Sequence, residues 1–187
     1  WQALLACGGE PAAEAVLQAL NKHGPDGPAS GLPLRWLRLL RPQGVNKATL
    51  EDLASALISG IHRGARLNGE RMRALEGLGH LPGTETGKRL MGALAYMDGP
   101  DLELLLRVLH SCGIPPEPDQ ALGVLRRLRS GSVNMTRGAT IAFLRWVERS
   151  RRVNPGILLE DFLRSPFREV RVTASRAVLG MLRRRDV

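Results

Sequence analysis

The chain has 187 residues, of which 43% are hydrophobic and 4% aromatic, and a formal net charge of +9. That is enough chain and apolar material for one domain whose core is mostly Leu, Ala and Val. No apolar run reaches the ~18 residues of a membrane-spanning helix, and no stretch combines period-two alternation with β-branched residues, so no spans or strands are predicted.

Trp1 to Cys7 reads as the end of a helix, broken at Gly8-Gly9. A start at Trp1 rather than Met reads as a fragment of a longer protein. Pro11 opens a helix to Leu20, with Ala15, Val16 and Leu20 on one side. Gly24 to Pro33 is a Gly/Pro-rich loop, followed by a short helix from Leu34 to Leu40. Thr49 is the expected cap of the next helix, with Asp52 in the capping-box position. Leu50, Leu53, Ala54, Leu57, Ile58 and Ile61 form its apolar stripe. After a turn over Gly64 to Asn68, Met72, Leu75, Leu78 and Leu81 define a partner helix that stops at Pro82-Gly83.

Thr84 or Thr86 starts a helix with Leu90, Met91, Leu94 and Met97 inward. Asp98-Gly99-Pro100 turns into a partner carrying Leu102, Leu105, Leu106 and Leu109, with Gly113 as its C-terminal stop. Asp119 to Arg129 is helical through Leu122, Leu125 and Leu128. Asn134 or Thr136 caps a helix with Ile141, Leu144 and Val147. Asn154 caps the next at Pro155. It runs to Leu163, and Ser165-Pro166 is the expected start of a last helix with Val170, Ala174, Ala177, Val178 and Met181 on one face.

The second helices of successive pairs start near Gly69, Pro100, Asn134 and Pro166, that is, 31, 34 and 32 residues apart. A helix–turn–helix unit recurring at that period is the sequence signature of stacked helical repeats. Five units are expected: 11–41, 49–81, 84–113, 117–150 and 155–185. In the last unit, Ser165, Pro166, Val170, Arg171, Ala174, Ala177 and Leu179 follow the order of a short helix, a small polar residue, proline, Val-Arg and an alanine-rich second helix. That unit resembles a HEAT repeat; the earlier units share its length and apolar spacing but lack Val-Arg. The resemblance implies an all-α, right-handed α-solenoid of about five HEAT-like hairpins, and a role in binding rather than chemistry.

Charge is not spread evenly. Residues 121–187 hold 15 Arg, no Lys and 5 acids, whereas residues 1–120 hold 12 Lys plus Arg and 13 acids. The candidate binding residues are therefore Arg126, Arg127, Arg137, Arg145, Arg149, Arg152, Arg168, Arg171 and Arg176. On a helical wheel, Arg168, Arg171, Arg176 and Arg183 lie opposite the Val170–Ala177–Met181 stripe. In a solenoid they would line a positive concave groove, and the bland alternative is a solvated face paired with Glu148, Glu160, Asp161 and Glu169. Arginine's planar fork suits carboxylates, which points to an acidic protein segment or partner domain. Nucleic acid and an anionic membrane surface are the rival partners.

Some DNA glycosylases are built of HEAT-like repeats, and Trp146 beside Arg145 and Arg149, with Asp161 one unit on, would be their counterpart groove. No sequence motif here requires that chemistry. His23, His62, His80 and His110 lack metal-ligand spacing, and Gly83 to Arg89 lacks the first glycine and preceding strand of a phosphate loop. Neither a metal, a cofactor nor a small-molecule substrate is expected. Cys7 and Cys112 read as free thiols packed as small hydrophobes, in keeping with a cytoplasmic protein.

Overall fold

The computed structural model describes residues 8–25, 44–61, 67–78, 85–129, 136–150 and 152–184, and they are all-helical, without strands. In chain order the helices are α1 (Gly9–His23), α2 (Lys47–Ile58), α3 (Gly69–Gly77), α4 (Glu85–Ala93), α5 (Gly99–Ser111), α6 (Pro118–Arg129), α7 (Arg137–Val147), α8 (Pro155–Leu163) and α9 (Arg168–Arg183). The expected segments at Trp1–Cys7 and Leu34–Leu40, the end of the second helix at Leu81, and most of the Gly/Pro-rich loop lie outside the described residues.

The helices form two rows. Helix α1 lies against α2, and α2 against α4; in the other row α3, α5, α7 and α9 follow one another. Helix α6 is tied to α4 by Arg127 and to α8 by Arg129. The rows meet through α2 with α3, α4 with α5, and α8 with α9. One continuous apolar core takes in buried residues from both rows. The stripes follow those read from the sequence, with Leu50, Ile61, Leu122, Ile141 and Val178 only partly covered at their margins. Helix α1 differs: it buries Ala12 and Ala13 with Val16 and Leu20, while Ala15 stays half-exposed.

Within a row the helices run parallel. Glu10 near the start of α1 accepts from Asn46 N (2.6 Å) and from Thr49 Oγ1 at the start of α2. Glu51 in α2 accepts from Thr86 N (3.1 Å) and Thr86 Oγ1 (2.8 Å) at the start of α4. In the second row Glu103 of α5 accepts from Thr136 Oγ1 (2.9 Å), just ahead of α7. A carboxylate thus sits against the amino end of the following helix, where free N–H groups and the helix dipole favour negative charge.

Two caps differ from expectation. Asn46, not Thr49, caps α2, its side chain accepting from Ala48 N at 2.7 Å. Thr49 falls inside the first turn and spends its hydroxyl on Glu10. Ser165 does not cap α9; its hydroxyl accepts from Phe167 N (3.3 Å), and the helix starts at Arg168. Pro166 therefore belongs to the turn. Thr136 and Asn154 do cap α7 and α8, with Pro155 at the first position of α8. Gly113 (φ 73°) ends α5, with Gly113 N donating to His110 O and Ile114 N to Leu109 O, the paired closure of a left-handed C-terminal stop.

Candidate arginine-rich face

The second row presents one outer face to solvent, built from residues three or four apart on each helix. On α3 that face carries Glu70, Arg73 and Glu76; on α5, Glu103, Arg107 and His110. On α7 it carries Arg137, Ile141, Arg145, Glu148 and Arg149, and on α9 Arg168, Val172, Arg176, Leu179 and Arg183. Each set lies opposite the buried stripe of its helix. The face passes from carboxylate-rich at α3 to arginine-rich at α7 and α9.

The candidate arginines separate into two groups. One group is committed to the protein's own backbone and carboxylates. Arg127 is half-buried and donates to Leu94 O, Met97 O and Asp98 Oδ1, closing the turn after α4. Arg171 donates to Ser165 O (2.8 Å) and Pro166 O (2.9 Å), so it braces its own turn rather than joining the outer face. Arg137 pairs with Glu169 at 3.4 Å and lies over the Phe167 ring, 5.8 Å from its centre. Arg152 pairs with Glu117 at 3.3 Å.

The other group stays available. Arg145, Arg168 and Arg176 are exposed on the outer face of α7 and α9, and Arg149 is half-buried there. Arg126 is exposed on α6, in the other row. Of the four acids expected to neutralise the region, Glu160 is held by Arg164 (3.1 Å), Asp161 by Arg129 (2.8 Å) and Glu169 by Arg137, while Glu148 lies on the outer face itself.

His110 sits where α5 meets this face. Burial pushes its pKa below the usual imidazole range, and the Arg149 and Arg145 charges push the same way, against Glu148 and a backbone bond at Arg145. Its Nδ1 is buried without a hydrogen-bond partner. Trp146 is not part of the face. It is fully buried, donates from Nε1 to Ile114 O (2.8 Å) and packs edge-on to Phe143. It offers no stacking surface to a base, and Asp161 is already engaged by Arg129, so the glycosylase-like grouping of Trp146, Arg145, Arg149 and Asp161 is not assembled. Among the described residues no three His, Cys, Asp or Glu side chains are grouped to hold a metal ion.

Sequence reasoning missed Arg71 and Arg184. Arg71 is buried (3% exposed) and its guanidinium donates to Leu57 O and Ser59 O at the end of α2. Arg184 donates to Glu148 O at the end of α7. With Arg127, they make a recurring device: a cation placed on the carbonyls that a helix terminus leaves unpaired. The available signal was the offset of these arginines, 14 residues for Arg71 and 33 and 36 for the other two, from the carbonyls they meet. No family model, no curated protein and no solved structure matches this chain.

Proposed function

We propose that this chain is a non-catalytic protein–protein interaction scaffold, a right-handed α-solenoid of HEAT-like hairpins that binds an acidic partner on the arginine-rich outer face of α7 and α9. Support for the repeat reading comes from the bonds between neighbouring hairpins. Glu51 with Thr86, Glu103 with Thr136, Trp146 with Ile114 and Arg184 with Glu148 are 35, 33, 32 and 36 residues apart. One-dimensional stacking of a repeated unit produces such a recurring offset. In that arrangement the second helices line the concave side.

The observation that carries the binding reading is the set Arg145, Arg168 and Arg176, exposed on one face while the acids Glu160, Asp161 and Glu169 are taken by other arginines. A partner carboxylate would meet cations already arranged on rigid helices. A reducing, cytoplasmic setting is proposed with it, because Cys112 is a buried free thiol.

Fluorescence anisotropy with labelled poly-glutamate and with duplex DNA, each over a range of salt, tests the reading. Saturable poly-glutamate binding that falls about ten-fold or more in an Arg145→Glu/Arg176→Glu variant is the expected result. Tighter binding to the duplex, with a steep negative salt slope, would transfer the face to nucleic acid. Unchanged poly-glutamate binding in the variant would remove the face as the site.

A further inference from the structure

The buried polar and charged side chains of the described residues are Thr49, Arg71, Thr86, Thr140 and Ser150. Four of them are answered by other segments. Thr49 donates to Glu10, Arg71 to Leu57 O and Ser59 O, Thr86 to Glu51 and Ser150 to Pro116 O. Thr140 is 4% exposed, and among the described residues its hydroxyl has no hydrogen-bond partner. A buried hydroxyl without a partner costs free energy, so this one points to something that joins it there.

Thr140 lines an open pocket of about 350 Å³ between the end of α6, the start of α7 and the α8–α9 turn. Glu51 Oε2 and His110 Nδ1 are sealed from solvent without a partner, whereas the Thr140 oxygen keeps contact with the space of the pocket. Small-ligand sites hold about 300–1,000 Å³, so this volume suits one ring-sized group. Leu128 and Val170, both buried, give the pocket apolar lining. Two aromatic residues, Phe162 and Phe167, line it as well. The Phe162 ring packs 6.2 Å from Phe143, which meets Trp146 at 6.4 Å, so the aromatic cluster of the core reaches this pocket. Ser165 adds a second hydroxyl to the lining. An apolar pocket with a few convergent polar groups is the usual form of a binding site.

The charges around the pocket favour a neutral occupant. Arg129, Arg137 and Asp161 line it, with Arg129 held by Asp161 at 2.8 Å and Arg137 by Glu169 at 3.4 Å. A ligand carboxylate would have to displace one of these acids, and a ligand cation would meet two guanidinium groups. The aromatic lining favours a ring, packed offset or edge-on. A phenol hydroxyl both donates and accepts, as the Thr140 hydroxyl does, so the pair can satisfy each other either way; an indole N–H can only donate. We propose that this pocket binds a neutral phenol ring, carried by a free phenolic compound or by a tyrosine of a partner protein, with Thr140 Oγ1 as the hydrogen-bond partner of the phenol oxygen. The pocket shares Arg137 with the arginine-rich face but draws no free charge from it, so the assignment does not depend on the acidic-partner reading.

Saturation-transfer NMR titrations of the whole chain with p-cresol, toluene and benzoate test the assignment. p-Cresol should bind saturably and about ten-fold more tightly than toluene, which has the same ring and methyl group but no hydroxyl. Benzoate should not displace it. Thr140→Val keeps the shape of the side chain and removes the hydroxyl, so it should bring p-cresol down to the toluene level. Phe167→Ala, at an exposed position, removes aromatic lining and should weaken p-cresol and toluene alike; it carries the test if circular dichroism shows that Thr140→Val disturbs the fold. N-acetyl-tyrosinamide separates the two sources. Binding as tight as that of p-cresol assigns the pocket to a tyrosine side chain, and its exclusion while p-cresol binds assigns it to a free phenolic compound. No saturable p-cresol binding, or binding equal to that of toluene and unchanged in both variants, would overturn the phenol site. Displacement of p-cresol by benzoate would overturn the preference for a neutral ligand.

Discussion

An arginine in this protein belongs either to the fold or to the face, and burial decides which. Arg71 donates to two backbone carbonyls at the end of α2 and is 3% exposed, so its loss strands buried acceptors. Arg71→Met should cost about 2–3 kcal/mol in urea unfolding, whereas Arg176→Met, at an exposed position, should stay within about 0.5 kcal/mol. Cys112 makes a second case. Its thiol donates to Leu75 O (3.5 Å), and burial, with a smaller push from Glu76, raises its pKa to about 12. A thiol that ionises near pH 8.5 only when unfolded keeps more protons in the folded state above that pH, so stability falls as pH rises. The fall should span pH 8.5 to 12 and be reduced in Cys112→Ala, as read by unfolding midpoints across that range. Below pH 8.5 Cys112 adds no pH dependence, and alkylation at pH 8 should await unfolding.

Among the helices, the contacts to neighbours set which positions tolerate change. Gly123, midway along α6, has no atom within 4 Å of where a Cβ would stand, so Gly123→Ala gains helix propensity at no packing cost. It should stabilise the protein by about 0.5–1 kcal/mol. Gly180 is also helical, but there a Cβ would come within 2.6 Å of Glu148 Cγ, at the end of α7. Gly180→Ala should gain nothing, because α9 would have to shift away from α7 or Glu148 give up its place. Paired thermal melts of the two variants check this difference. The contrast also marks Gly180 as a point of close approach between α9 and the end of α7. Gly138 on α7 is its counterpart against α5, where a Cβ would strike the Glu103 carboxylate.

Across the molecule, helices meet mainly the hairpin before and the hairpin after. Helices α5 and α7 have neighbours on both sides of their row, and their inward residues Leu102, Leu105, Leu106, Phe143, Leu144 and Trp146 are at 0% exposure. Among the described residues, helix α9 packs on α7 and α8 and keeps Val172, Leu179 and Leu182 exposed. Hydrogen exchange should therefore be slowest in α5 and α7 and faster in α9, because opening a helix packed on both sides breaks more contacts than opening one packed on one side of its row. Equal protection along the row would mean that the hairpins open as one cooperative block. The charge asymmetry belongs to this scale too: the basic third of the chain, residues 121–187, covers the last two hairpins, α6–α7 and α8–α9.

Much of this architecture was legible in the chain. Helix positions, the apolar stripes of α2, α5 and α9, the caps at Thr136 and Asn154 and the stop at Gly113 follow from local signals. Those signals act over three to seven residues, so the sequence displays them directly. The Thr49 and Ser165 caps were misplaced by a few residues, since Asn46 and Phe167 claim the same turns. What local pattern could not decide was the fate of each arginine. In sequence, Arg127 and Arg171 look like Arg145 and Arg176, all four on helices in a basic stretch. Tertiary packing gives Arg127 carbonyls 30 and 33 residues away and Arg171 the bend at Ser165-Pro166, while leaving Arg145 and Arg176 in solvent. Helices, their period and the place where charge concentrates depend on neighbours along the chain, so the residues alone specify them. The charges that remain for a partner are set by the fold, because a guanidinium is spent or spared according to the unpaired carbonyls and carboxylates that distant segments bring to it.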